Sequence, residues 1–193
     1  MAYRLLRGNV FHPTLSAPCQ KIFMLNEEFD GYDMVIMLDA DMFVRAGMTE
    51  NVFTDVDGIG RHTAIQSMLH RKLVQRHPSL ASLSHPYWGG AIYRLEKSLR
   101  QRLRAEITES ELLPFSNGFE DEGIMNRLAT RADIQITDDT YLPGHRWDSG
   151  NFEDGVESSA FIHIRPKMVK GGTLVRASKM EVYADMVERG LIR

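Results

Sequence analysis

Asp39 and Asp41 are the residues of this chain best spaced to do chemistry together. They follow the unbroken apolar run 34–38, Met-Val-Ile-Met-Leu, and residues two apart at a strand end point the same way, so both carboxylates can reach one cation. Two hard oxygen ligands beside an apolar wall suit Mg2+ or Mn2+, with a phosphate group as the natural third party. An acidic pair at a strand end also occurs in solvated loops, so the pair needs support from elsewhere in the chain. The apolar run has the pattern of a strand buried on both faces, which predicts a parallel sheet. Ligands of open parallel sheets sit beyond the carboxyl ends of the strands, where Asp39-Ala40-Asp41 is then expected.

An apolar strand running into D-x-D, followed by the aliphatic continuation Met42-Phe43-Val44, resembles the metal-binding motif of GT-A nucleotide-sugar glycosyltransferases, glycogenin and bacterial galactosyltransferases among them. The resemblance implies an α/β fold, a GT-A-type Rossmann-like, mostly parallel sheet flanked by helices. It also implies a bound Mn2+ or Mg2+, a nucleotide-diphosphate sugar as donor, and a glycan, lipid or protein as acceptor. Asp39, Ala40 and Asp41 would then bind the donor and its metal. Within the same resemblance, Lys21 sits on the helix that approaches the donor nucleotide, although an exposed helix lysine is commonly just solvated. Gly89-Gly90 lets backbone approach a ligand closely, with Tyr87 and Trp88 offering flat apolar surface to a sugar; a glycine turn with buried aromatics explains the same letters.

The acids Glu120, Asp121 and Glu122 open a helix, where its dipole stabilises carboxylates. They also resemble the acidic element that the family sets beside the acceptor hydroxyl, which makes Asp121 the first candidate for a catalytic base and Glu120 the second. In the resembling families a late histidine completes the metal site and a nearby lysine holds the diphosphate. His163 and Lys167 match that order, and the metal set is then Asp39, Asp41 and His163. The usual His-x-x-Gly-x-x-Lys spacing is not kept, and a lone strand histidine is often structural. Likeness to glycogenin suggests retention at the sugar, whereas the acids near residue 120 look like inverting families, so stereochemistry stays open.

The elements that must position these groups read as follows. A short strand near 3–6 and a loop precede a helix that opens at Ser16 with Pro18 in its first turn, its apolar side formed by Cys19, Ile22, Phe23 and Phe29. Beyond the central strand, 49–60 is loop. Residues 61–77 predict a helix with Ile65, Met68, Leu69 and Leu73 on one stripe, and its His62, His70 and His77 are too widely spaced for a helix metal site. A strand over 91–95 leads into a basic helix over 96–107 carrying Arg100, Arg102 and Arg104, a solvated face or a surface for an anionic acceptor or membrane. A strand over 133–137, a long loop containing Asp138 and Asp139, a strand over 160–164, and an amphipathic helix over 179–189 with Val182, Tyr183, Met186 and Val187 inward complete the chain.

A chain of 193 residues with 43% hydrophobic and 25% charged residues fits one domain, residues 1–193, with a full core. Ahead of Asp39 there is room for one strand-helix-strand unit of about thirty residues, against the two usual in the resembling enzymes. Two expectations follow: a fragment or unusually short member lacking the first nucleotide-binding strands, or a partner chain that completes the base pocket. The net charge of −3 gives no reason to expect nucleic acid, and no apolar run is long enough for a membrane span. The single Cys19 excludes an internal disulfide and a cysteine-built zinc site, and a cytoplasmic location is expected. Two other functions fit the same letters. In a haloacid-dehalogenase-type phosphatase Asp39 would be the nucleophile, Asp41 the acid-base and Asp138-Asp139 the distal metal pair, with Phe43 where that family prefers Thr or Val. The other is a non-catalytic GT-A-like binding module.

Overall fold

The structure, a computed structural model, describes residues 4–6, 9–11, 17–49, 51, 60–63, 71–72, 74–75, 78, 81, 87–107, 120–134 and 148–193. In chain order β1 (Arg4–Leu6) and β2 (Asn9–Phe11) form a hairpin, and two 3-10 helices, Ala17–Leu25 and Glu27–Phe29, follow. Then come β3 (Met34–Leu38), β4 (Met42–Val44), β5 (Gly60–Thr63), β6 (Tyr87–Glu96), α1 (Lys97–Ala105) and α2 (Glu120–Arg131). The last part holds β7 (Asp148–Gly150), β8 (Phe161–His163), β9 (Lys167–Lys170), β10 (Thr173–Arg176) and α3 (Lys179–Glu188).

The expected GT-A-type, Rossmann-like parallel sheet is not found among the described residues. One sheet has the order β3-β6-β5 and is antiparallel throughout, with Met34 opposite Glu96 and Leu38 opposite Ile92. The other has the order β4-β8-β7, and only the short pairing of β7 with β8 is parallel. The apolar run 34–38 misled for a physical reason. Val35 and Met37 pack against one cluster and Ile36 and Leu38 against another, so the run does report two packed faces, but that says nothing about the direction of the neighbouring strand, which is antiparallel.

Three packed clusters hold the sheets and helices together. Ile22, Leu25, Trp88, Tyr93, Leu95, Leu103, Ile124 and Leu128 join the first 3-10 helix, the β3-β6-β5 sheet, α1 and α2. Val156, Ile162, Ile164, Val182 and Met186 join the second sheet to α3. Between them Ile92, Ala160 and Phe161 pack with Ile36, Leu38 and Met42, so the two sheets share apolar contact where β3 passes into β4. The inward set of α3 follows the sequence expectation except at Val187, which is exposed.

Other expectations are corrected locally. The predicted helix over 61–77 begins as strand, because Gly60–Thr63 pairs with β6 and His62 lies opposite Trp88; Ile65, Met68, Leu69, His70, Leu73 and His77 lie outside the described residues. Gly60 has φ 142°, and a Cβ there would collide with the Ile92 carbonyl oxygen and Trp88 Nε1, so only glycine fits. The strand expected over 133–137 starts instead as the end of α2. Asp133 takes φ 49° and Ile134 N–H donates to Ala129 O at 3.0 Å, which closes the helix with a residue in the left-handed conformation.

On the basic helix Lys97 and Arg102 are exposed as expected, but Arg100 and Arg104 are not part of a solvated face. Arg100 is fully buried and donates to the carbonyls of Leu95 (2.7 Å), Phe29 (2.9 Å) and Tyr32 (2.6 Å). Arg104 donates to Leu25 O at 2.9 Å and pairs with Asp30 at 2.8 Å. These arginines satisfy carbonyls left open where the 3-10 segments end, and tie them to α1.

Candidate metal centre

The D-x-D motif occupies a tight turn between the two sheets. Asp39 N–H donates to Ala91 O at 3.0 Å, which continues the pairing of β3 with β6 by one more residue. Met42 N–H then donates to Asp39 O at 3.1 Å, closing a four-residue turn, and the chain enters β4. Ile164 N–H donates to Asp41 O at 2.9 Å, and Met42 is opposite His163 in the register of β4 with β8. Backbone pairing alone therefore brings His163 beside the turn, from a strand far along the chain.

The side chains converge accordingly. His163 Nε2 lies 3.1 Å from Asp41 Oδ1 and 4.0 Å from Asp39 Oδ2, and one donor atom from each residue lies within 4.8 Å of the others. His163 is buried, with 3% of its side chain exposed, while the two carboxylates are each 26% exposed, so the group opens to solvent on the carboxylate side. Each carboxylate divides its oxygens. Asp39 Oδ1 is held by the Lys21 ammonium and Asp41 Oδ2 by the Lys179 ammonium, leaving Asp39 Oδ2 and Asp41 Oδ1 turned toward the imidazole.

The two lysines differ in how they are held. Lys21, on the 3-10 helix Ala17–Leu25, is 14% exposed and also donates to Gly90 O at 2.8 Å. Lys179, the first residue of α3, is 54% exposed, and its helix start is fixed by a capping box in which Ser178 and Glu181 satisfy each other's backbone N–H groups. Burial, the strongest influence on Asp41, favours its neutral acid. The hydrogen bond from Lys179 and the neighbouring His163 and Lys179 charges together outweigh burial, and the carboxyl lies below the ordinary carboxylate value.

The donor set suits a divalent cation. Two carboxylate oxygens with one imidazole nitrogen match Mn2+ more closely than Mg2+, which prefers oxygen alone. The lysines occupy the outer oxygens and leave the three inward donors facing one another.

The remaining expected residues fall in different places. Gly89 and Gly90 are buried within β6, not in a turn ahead of it. Gly90 is held from both sides, its carbonyl accepting from Lys21, which links it to the centre, and its N–H donating to Glu122 Oε1 of α2 at 2.7 Å. One turn along α2, Asn126 pairs with the Trp88 backbone in both directions at 2.9 Å, as a neighbouring strand would. Ala40 lies exposed inside the turn. Glu120 and Asp121 begin α2, and their side chains lie outside the described residues, as do Asp138 and Asp139.

Lys167, expected at a diphosphate, has its ammonium 5.9 Å from the centre of the Phe152 ring, and its carbonyl accepts from Asn151 Nδ2 at 2.6 Å. Two cations sit on the D-x-D motif: on Asp39 Lys21, a candidate from the sequence, and on Asp41 Lys179, which sequence reasoning passed over as a helix-start lysine. Nothing in its local spacing marks it; only the packing of α3 against the second sheet does. A cavity of about 400 Å³ lined by Asn151, Phe152, Glu157, Met168 and Asp185 lies against the same helix, and neither Asp39, Asp41 nor His163 lines it.

No protein-family model matches the chain, and no curated protein matches it. Among the described residues no helix is long and apolar enough to cross a membrane.

Proposed function

We propose that this chain is a divalent-metal-dependent glycosyltransferase that moves a sugar from a nucleotide-diphosphate sugar to an acceptor hydroxyl. The observation that carries the reading is the meeting of Asp39, Asp41 and His163, each with one donor atom within 4.8 Å of the others, at the end of the apolar D-x-D strand. The sugar-transfer part rests on the resemblance of that motif, with its late histidine, to the metal sites of nucleotide-sugar enzymes. It does not depend on a parallel sheet.

A divalent cation held by these three residues would supply positive charge where the leaving diphosphate gains negative charge. The protein's own residues prepare that position. Lys21 fixes Asp39 against the backbone of β6, so that its inner oxygen keeps its aim. His163 is anchored by β8 and buried, which limits its rotation. Lys179 stands at the exposed edge with a mobile four-carbon stem, and an anionic diphosphate is a natural alternative partner for its ammonium. Glu122 accepts from Gly90 N–H and thereby fixes the backbone that holds Lys21, a positioning role, while Asp121 and Glu120 stay as candidates for the acceptor's base.

The deciding experiment is calorimetric titration of the chain with Mn2+ and a panel of nucleoside diphosphates, alone and together, for wild type and Asp41→Asn. Nucleotide binding that requires Mn2+, and is lost in Asp41→Asn, is expected. Absence of metal-dependent nucleotide binding would defeat the proposal in favour of a binding module. Release of phosphate from a simple phosphomonoester without nucleotide binding would favour the phosphatase.

A further inference from the structure

We infer that the β9-β10 hairpin is a peripheral docking surface for anionic lipid, a property separate from the proposed transfer chemistry. Its register pairs Lys167 with Arg176, Met168 with Val175, Val169 with Leu174 and Lys170 with Thr173. Alternation then gives the hairpin two faces. Met168 packs on the core beside Val182 and Met186. The opposite face carries Val169 and Leu174 directly across from each other, 54% and 46% exposed, next to the exposed Lys167 and Arg176. Met180, at the start of the following helix, is 73% exposed. Gly171 and Gly172 close the tip with φ 56° and 78°, a turn in which both residues need the left-handed region.

Along the hairpin and its flanks the charge has one sign, the acids Glu153, Asp154, Glu157 and Asp185 lying in the cavity that Met168 and Val169 also line. Residues 165–179, RPKMVKGGTLVRASK, contain Arg165, Lys167, Lys170, Arg176 and Lys179 and no acid, in a chain whose net charge is −3. Lys179 is held on Asp41, and the other four are exposed. Glu181, the first acid after the stretch, is engaged in its capping box. An anionic partner is therefore favoured. Aliphatic side chains beside cations fit the headgroup and acyl boundary of a bilayer. Nucleic acid is less well served, because none of the hairpin's own residues is aromatic and the nearby Phe152, beside Lys167, is only partly exposed.

The test uses the full chain with vesicles of phosphatidylcholine alone and of phosphatidylcholine with about one third phosphatidylserine, where each cation near the surface adds roughly fivefold to partitioning. Wild type is expected to float with the anionic vesicles and not with the neutral ones, and to be released by salt. The double variant Lys167→Glu/Arg176→Glu should lose at least about tenfold in partitioning while keeping the wild-type thermal midpoint. Leu174→Trp reports depth: its fluorescence should shift to the blue on anionic vesicles. Wild type that stays in solution with anionic vesicles overturns the inference. So does vesicle binding unchanged by the double variant, an unshifted Leu174→Trp emission, or preferential binding to single-stranded RNA. None of these readouts depends on glycosyl transfer, so either reading can fail without the other.

Discussion

Lys179 and Asp41, 138 residues apart in the chain, are joined by an ion pair that places an exposed ammonium on the outer oxygen of a proposed metal ligand. Removing that charge should make the site more attractive to a cation. Lys179→Met is expected to raise Mn2+ affinity by roughly two- to fivefold, the scale of one exposed ion pair, while the thermal midpoint stays near wild type. The same variant should weaken metal-dependent binding of a nucleoside diphosphate. Titration with Mn2+ alone, then with Mn2+ and nucleotide, separates the two effects, and a lowered Mn2+ affinity would count against the arrangement.

His163 offers the cleanest removal of one donor. His163→Ala should reduce Mn2+ affinity by at least about tenfold, the range associated with losing support at a metal ligand. Far-ultraviolet circular dichroism checks that the second sheet survives. Mn2+ binding equal to wild type in a folded variant would show that the imidazole takes no part.

Glu122→Gln keeps an oxygen able to accept from Gly90 N–H, whereas Glu122→Ala does not. If Glu122 positions β6 under Lys21, the glutamine variant should hold wild-type stability and Mn2+ affinity and the alanine variant should lose both, by about 1–3 kcal/mol in stability. A glutamine variant that folds and binds Mn2+ but transfers no sugar would move Glu122 to the acceptor's base.

Asn126 is completely buried and satisfies both the N–H and the carbonyl of Trp88. Asn126→Leu leaves those two groups without that partner and should cost about 2–4 kcal/mol. For a chain of this size that lowers the thermal midpoint by ~5–15 °C in a melting experiment.

Acid dependence should be visible at Asp30. The hydrogen bond from Arg104 holds the Asp30 carboxyl below its ordinary value, and the same pair raises Arg104. A carboxyl lowered in the folded state contributes stability above its unfolded pKa of about 3.9, and that contribution fades as pH falls through the folded value. Asp30→Asn should therefore be less stable than wild type by about 1 kcal/mol at pH 7, with the gap closing below about pH 4. Urea titrations across that range measure it, and a gap that widens in acid would contradict the sign.

The sequence was most informative where local pattern and site coincided. The apolar run 34–38, the acids after it, the strand carrying His163 and the amphipathic residues of α3 could all be read from spacing. Strand direction could not, because a strand packed on both faces reads as the same five-residue apolar run whether its neighbour is parallel or antiparallel. The arginines of α1 were opaque for a related reason. Their heads reach carbonyls on segments distant in the chain, and charge composition carries no record of which carbonyls stay open when 3-10 helices end. Lys179 was hidden likewise, since its partner is fixed by the docking of a helix and not by neighbours in sequence.

The turn at Asp39–Met42 is the seam where the chain leaves one sheet for the other, with Asp39 tied to Ala91 on one side and Asp41 to Ile164 on the other. A ligand gripping both carboxylates and His163 fastens two layers as a rivet does. Its arrival should slow amide exchange on both flanks of the seam together, making occupancy of the centre a mechanical property of the whole molecule.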